Sequence, residues 1–325
     1  MTAMTNMTRR HVIGASATAL AFAALPGQAG TAPLSVVATT GMIADAARNV
    51  GGDLVTVQSL MGPGVDPHAY RQTRSDIVAL TRADAVLWHG LYLEAQMEDI
   101  LHKLSARGTV TAVGEAVPQD VLIAHEDYQG KFDPHLWMVP ELWAHVVIGV
   151  RDALTAAAPD QSATFDANAQ AHLIQIARLG TYARDVLTTV PAPSRVLLTA
   201  HDAFGYFGRA YGFEVIGVQG ISTESEAGLN RIGTLVDLLV SRDIRAVFVE
   251  TSVSDRNMRA LIEGAAARGH AVAIGGELFS DAMGPPDTYE GTYLGMIDHN
   301  ATTIATALGG TAPARGMDGK LSAGL

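Results

Sequence analysis

The segment "QSATFDANAQAHLIQIARLGTYARDVLTTV", residues 161–190, constrains the fold of this 325-residue chain more than any other. Phe165, Ala169, Leu173, Ile176, Leu179, Ala183 and Val186 recur every three or four positions, the spacing of one buried stripe on an α-helix. As a helix the segment would span about 45 Å, enough to cross a whole domain. Asp160 stands where an N-cap is expected, and "PAPS" at 191–194 ends the periodicity. The rest of the chain must therefore be arranged about one long rod.

On both sides of the rod, strand patterns alternate with helix patterns. Before it come strands in Ser35–Thr39, "LVTVQSLM", "AVLWHG" and "VTAVG". Between and after them lie a helix ending at Gly51-Gly52, a short helix opened by Ser75-Asp76, a helix from Glu94 to Leu104, and "PELWAHVVIGVRDALTAAA". After the rod come strands "RVLLTA", "EVIGVQG", "AVFVE" and "AVAIGG", with helices in "DAFGYFGRAYG", Asn230–Ser241, Asp255–Arg268 and Tyr293–Leu308. Such alternation builds parallel sheets with crossover helices. The expected fold class is α/β: two parallel-sheet α/β lobes joined by one long rigid helix. The boundaries are placed at 30–157 for the N-terminal lobe, 158–190 for the linking helix and 191–325 for the C-terminal lobe.

Residues 1–29 read as a cleaved secretory signal and are set aside. They carry a polar start, the pair Arg9-Arg10, an apolar run from Val12 to Leu25, and small residues in Gly27-Gln28-Ala29 where a signal peptidase would cut. The arginine pair after Thr8 resembles a twin-arginine signal. The run is short and Ala-rich for a membrane span, and no later stretch reaches membrane length, so the protein is not expected to span a membrane. The formal net charge of −11 becomes about −13 without Arg9 and Arg10, which argues against nucleic acid as a partner. There is no Cys. Disulfides and a lipidated N-terminal Cys are thereby excluded, and any metal site must use His, Asp and Glu.

The tripeptide Asp-Pro-His occurs twice, in "GVDPHAY" with His68 and in "FDPHLWM" with His135. In each copy Pro fixes its own φ and biases the preceding Asp to extended geometry, while the Asp side chain can cap the turn. Either copy alone is equally a plain Asp-Pro turn. His68 follows a strand, His135 follows the fourth strand of the same lobe, and His201 closes "RVLLTAHDAF". Asp281, in "GGELFSDAMG", follows the last strand. Ligands of open parallel sheets bind outside the carboxyl ends of strands, where all four of these residues fall. Three imidazoles and a carboxylate would suit a divalent first-row metal, although the gaps are long and no compact motif ties them together. Of the other histidines, His11 lies in the signal, and His89, His102, His145, His172, His270 and His299 read as ordinary core or surface residues. His125, before "EDYQGKF", is a candidate for transient metal contact.

"DPHAYRQTRSDI" and "DPHLWM" resemble the two N-lobe ligand motifs of the cluster A-I (A-9) solute-binding proteins of metal ABC transporters. "TAHDAFGYFGRAYGFEVIGVQGISTESEAG" and "VFVETSVSDRNMRALIEGAAARGHAVAIGGELFSDAMG" are similar to the C-lobe of that family, above all to its TroA-type zinc/manganese binders. The resemblance covers essentially everything after the signal. It implies a metal held in the cleft between the lobes by His68, His135, His201 and Asp281, with Glu250 of "VFVE" behind the ligands or structural. It further implies a monomer in the periplasm that captures zinc, with manganese the lesser candidate, and delivers it to an ABC permease. Two departures bear on the metal. The manganese branch usually has Glu where this chain has His201, and zinc-specific members often carry a long His-rich loop where this chain has "AHEDYQGKF".

Alternatives are a periplasmic metallochaperone or adhesin with the same site, the latter weakened by the lack of a lipid anchor, and a zinc hydrolase. A hydrolase needs an open metal position and a base; Glu250 is the sole candidate base, and there is no His-Glu-x-x-His. A continuous helix has no compliant hinge, so release is expected from local movement of the C-lobe loops carrying His201 and Asp281. A three-His, one-Asp set favours zinc over manganese. Competition calorimetry on metal-free protein should find zinc the tighter ligand. Its affinity should weaken as pH falls into the imidazole titration range, because only neutral imidazole ligates.

Overall fold

The computed structural model describes residues 32–322 except 107–109, 126–127 and 226; the expected signal, 1–29, lies outside the described residues. Elements are numbered in chain order. The first sheet consists of β1 (Leu34–Ala38), β2 (Val55–Ser59), β3 (Ala85–Trp88) and β4 (Val110–Ala112), in the order β2-β1-β3-β4 and wholly parallel. With it go α1 (Gly41–Gly51), α2 (Arg74–Arg82), α3 (Glu98–Ser105) and α4 (Pro140–Ala157). After α5 (Ser162–Thr188), the second sheet repeats the plan. Its strands β5 (Val196–Thr199), β6 (Glu214–Gly217), β7 (Ala246–Glu250) and β8 (Ala273–Leu278) pair in parallel as β6-β5-β7-β8. Helices α6 (Gly205–Tyr211), α7 (Leu229–Ser241), α8 (Arg256–Ala267) and α9 (Tyr293–Ala307) complete that lobe. The two-lobe α/β architecture with a long connecting helix is the one the alternation demands.

Local chemistry explains the elements. The central strands β3 and β5 are apolar runs buried along their length, as strands covered on both faces must be. Thr40 caps α1 through Ile43 N–H, and Thr73 and Asp76 form a reciprocal capping box on α2. α5 buries Phe165, Ala169, Ile176, Leu179, Ala183 and Val186 on one stripe, while Ile174 is 71% exposed on the other side. Its 27 residues run about 40 Å. It packs on α1 and α4 of the first lobe and on α9 of the second. One apolar core consequently extends through both lobes, and Trp143 of α4 stacks on Tyr293 of α9 with ring centroids 5.1 Å apart.

Two elements differ from the sequence reading. Asp160 does not cap α5. Pro159 starts a single 3-10 turn, Pro159–Gln161, and α5 begins only at Ser162 without a side-chain cap. The helix expected from Glu94 starts four residues later. Leu91 and Tyr92 take positive φ (54° and 72°), and the Glu94 carboxylate is buried. It accepts the Thr39 hydroxyl at 2.6 Å and the backbone N–H groups of His89 and Gly90 at 2.7 and 3.2 Å. Those bonds hold the 90–97 segment as turns. Among the described residues no helix is long and apolar enough to cross a membrane.

The α5 stripe makes a graded prediction. Phe165→Ala should cost about 3–5 kcal/mol of folding stability. Ile174→Ala on the exposed face should stay within about 0.5 kcal/mol. Urea titration of the two variants checks the difference.

Candidate metal centre

Both Asp-Pro-His turns are closed by their own aspartate. Asp66 Oδ1 accepts the backbone N–H of His68, and Asp133 Oδ1 that of His135, each at 2.9 Å. With Pro fixing the residue between, each imidazole leaves a turn that is both hydrogen-bonded and conformationally restricted. His68 lies in the loop beyond β2, His201 just past β5 and Asp281 just past β8, so strand carboxyl ends supply three of the four groups. His135 comes from the long connection between β4 and α4.

The fold brings these four residues together. One ligating atom from each lies within 4.8 Å of all the others, and all four residues are buried. His68 Nε2 is 3.3 Å from His135 Nε2, and His201 Nε2 is 3.2 Å from Asp281 Oδ2. Asp281 Oδ1 is 3.3 Å from His135 Nε2, and Oδ2 is 4.0 Å from His68 Nε2. A tetrahedral zinc ion with bonds of 2.0–2.1 Å would hold its ligand atoms about 3.4 Å apart. His201 Nε2 and both Asp281 oxygens are buried without a hydrogen-bond partner among the described residues, as groups awaiting a cation would be. Because both carboxylate oxygens face imidazoles, Asp281 can also chelate and raise the coordination number.

Two of the imidazoles are backed by carboxylates. His135 Nδ1 lies 2.7 Å from Asp133 Oδ1. His201 Nδ1 lies 2.5 Å from Glu250 Oε2, while Glu250 Oε1 accepts the His201 backbone N–H at 2.9 Å. A proton on each Nδ1 then donates to its carboxylate, leaving the Nε2 lone pair aimed at the centre. Glu250 thus stands behind His201 and outside the cluster of four. The duplicated motif is not duplicated in use: the free oxygen of Asp66, Oδ2, accepts the Thr223 hydroxyl from the other lobe.

Charge follows this arrangement. Burial pushes His68 down to about 3, partly opposed by the Asp281 carboxylate and reinforced by the neighbouring imidazoles. Burial works the same way on His135, but Asp133 and then Asp281 outweigh it and lift the group to about 9. At His201, Glu250 and Asp281 overcome burial and raise the imidazole well above its usual range. Burial would raise Asp281, yet His201 and His135 hold it well below the usual carboxylate range. The cluster is therefore polarised: the ionised Asp281 favours the charged forms of His135 and His201 while His68 stays neutral, and a binding cation would displace the proton from each charged ring.

Several supports had no signal in the sequence reading. Trp137 Nε1 donates to Ser280 O at 2.6 Å, tying the His135 segment to the residue before Asp281. Tyr206 OH donates to Asp133 O at 2.8 Å and accepts Ile123 N–H at 3.1 Å. The ring role of Asp133 was foreshadowed only by its place two residues before His135. His89 packs edge-on against Trp137, behind the cluster, and His299 Nε2 lies 2.8 Å from Glu277 O. His125 sits outside the four, its ring against Tyr92 and Tyr128.

Residues 36–307 match the family ZnuA, described as zinc-uptake complex component A, periplasmic. The manganese-binding lipoprotein MntA of Bacillus subtilis is 48% identical over 283 residues, covering 87% of this chain and 92% of the relative. The zinc-binding protein TroA of Treponema pallidum is 46% identical over 273 residues, covering 84% and 88%. The solved structure of the periplasmic zinc-binding TroA of that organism superposes with a TM-score of 0.83 at 45% identity, covering 85% of this chain and 99% of that one.

The carboxylates behind the imidazoles carry a prediction. Asp133→Asn and Glu250→Gln should each weaken zinc binding by about 10–100-fold. Chelator competition measures the loss, and circular dichroism of the metal-free variants checks that the fold is retained.

Proposed function

This chain belongs to the ZnuA family of periplasmic zinc-uptake components, and from that membership we propose that it is an exported solute-binding protein. It captures a divalent metal ion between its lobes and passes it to the membrane permease of an ABC transporter. The observation that carries the reading is the buried convergence of His68, His135, His201 and Asp281 from four separate connections. Those residues are the proposed ligands, and zinc the preferred cargo, with manganese admissible through chelation by Asp281. Four protein donors leave a tetrahedral ion no open position for a reactive water, so the site suits carriage better than hydrolysis. The signal-like sequence of residues 1–29 supports export to the periplasm.

The test is metal analysis and competitive affinity on protein recovered from its own compartment. One ion per chain is expected, lost in His68→Ala. Zinc should bind about tenfold or more tighter than manganese, and His201→Glu should narrow that gap by exchanging nitrogen for oxygen. Manganese binding more tightly to the unaltered protein would reverse the assignment of cargo; absence of stoichiometric metal would remove the carrier reading.

A further inference from the structure

The four candidate ligands are sealed: their side chains are 0–3% exposed. A cargo that must enter and leave therefore needs one side of the site to open. The sides differ in how they are closed. On one flank the lobes are joined by polar bonds, from Thr223 to Asp66 and from Gln96 to Glu224. Beneath the cluster, Trp137 holds Ser280 O and Tyr206 holds Asp133 O. On the Asp281 side the seam is mainly apolar, with Thr40, Arg48 and Ser59 as its polar lining besides Asp281. There a cavity of about 140 Å³ lies between Thr40, Gly41, Ser59 and Met61 of the first lobe and Asp281 and Met283 of the second. A wider recess of about 450 Å³ adjoins it, and Met283 lines both.

The two sets of ligands also differ in freedom. His135 and His201 are tethered through Nδ1 to Asp133 and Glu250. Among the described residues Asp281 has no carboxylate or backbone group behind it: its oxygens face only the imidazoles, nearest His135 and His201 at 3.3 and 3.2 Å, so turning this side chain toward the cavity gives up those ion pairs and the bond to the cargo and no others. Met283, 8% exposed, closes the cavity against Gly41: a Cβ at that glycine would lie 3.2 Å from Met283 Cε. An unbranched thioether can swing between rotamers with no hydrogen bond to break.

We propose that the metal ion enters and leaves by the Asp281 face, through the cavity between Thr40-Gly41 and Ala282-Met283, with the Met283 side chain as its gate. The proposal rests on the carrier reading above and names the route and gating residue of that same site. Because a gate lowers one barrier crossed in both directions, it alters capture and release together and leaves their ratio unchanged.

The experiment is stopped-flow zinc capture, and zinc release to excess chelator, on the full chain. Met283→Ala should speed both by about tenfold with the equilibrium affinity nearly constant. Met283→Leu keeps the volume and protects the fold, and its stiffer branched chain should slow both. Thr223→Ala, on the polar flank, should leave both rates within about twofold. Faster exchange in Thr223→Ala with none in Met283→Ala would place the door on the other flank and overturn the proposal. So would a Met283 effect confined to release and matched by lost affinity, which is a weakened site and no gate. Zinc affinity of the unaltered protein, measured first, separates the two readings: no stoichiometric zinc refutes the carrier, whereas normal zinc binding with unmoved Met283 kinetics refutes the gate alone.

Discussion

Atoms on two different lobes can face one another at 3.2–4.0 Å only if the lobes cannot slide, and the packing of α5 supplies that constraint. Its buried stripe contacts α1 and α4 on one side and α9 on the other, so the linker belongs to the core it links. Displacing one lobe would uncover Phe165, Leu179 or Val186 together with the Trp143–Tyr293 stack. Each large apolar side chain uncovered costs about 1.5–3 kcal/mol. Site geometry is thus inherited from helix packing, and only short loop segments are left free to move.

Around the cluster, rigidity is distributed unevenly. Asp133 and Glu250 fix both the ring orientation and the tautomer of His135 and His201. Asp66 fixes only the backbone of His68 and reaches across the cleft with its other oxygen. One tripeptide thus does two jobs. Next to His135 it builds an imidazole with a carboxylate partner; next to His68 it builds an imidazole whose turn doubles as a contact between lobes.

Much of this was legible in the sequence because the signals are local. Periodicity located all eight strands found among the described residues and the long helix, and strand-end placement with the family resemblance drew attention to His68, His135, His201 and Asp281. What was missed depends on approach in space. The Trp137–Ser280 bond joins residues 143 positions apart, and neither residue type announces a partner. The late start of α3 has the same origin: Glu94 is a good residue for a first helical turn, but Thr39, on another strand end, captures its carboxylate. Asp160 misled because Pro159 beside it favoured a 3-10 turn.

The spacing of the four groups along the chain has a mechanical meaning. His68 and His135 are 67 positions apart, and His201 and Asp281 lie still further along, so an ion bound to all four acts as a four-way cross-link. In a chain without Cys no disulfide performs that office. Closing loops of such length removes much of the unfolded chain's freedom, and an ion that binds the folded form alone stabilises it by mass action. An ion held by all four would make loaded and empty protein two materials of different stiffness built on one backbone. A receiving membrane partner could read that difference in compliance without ever touching the ion.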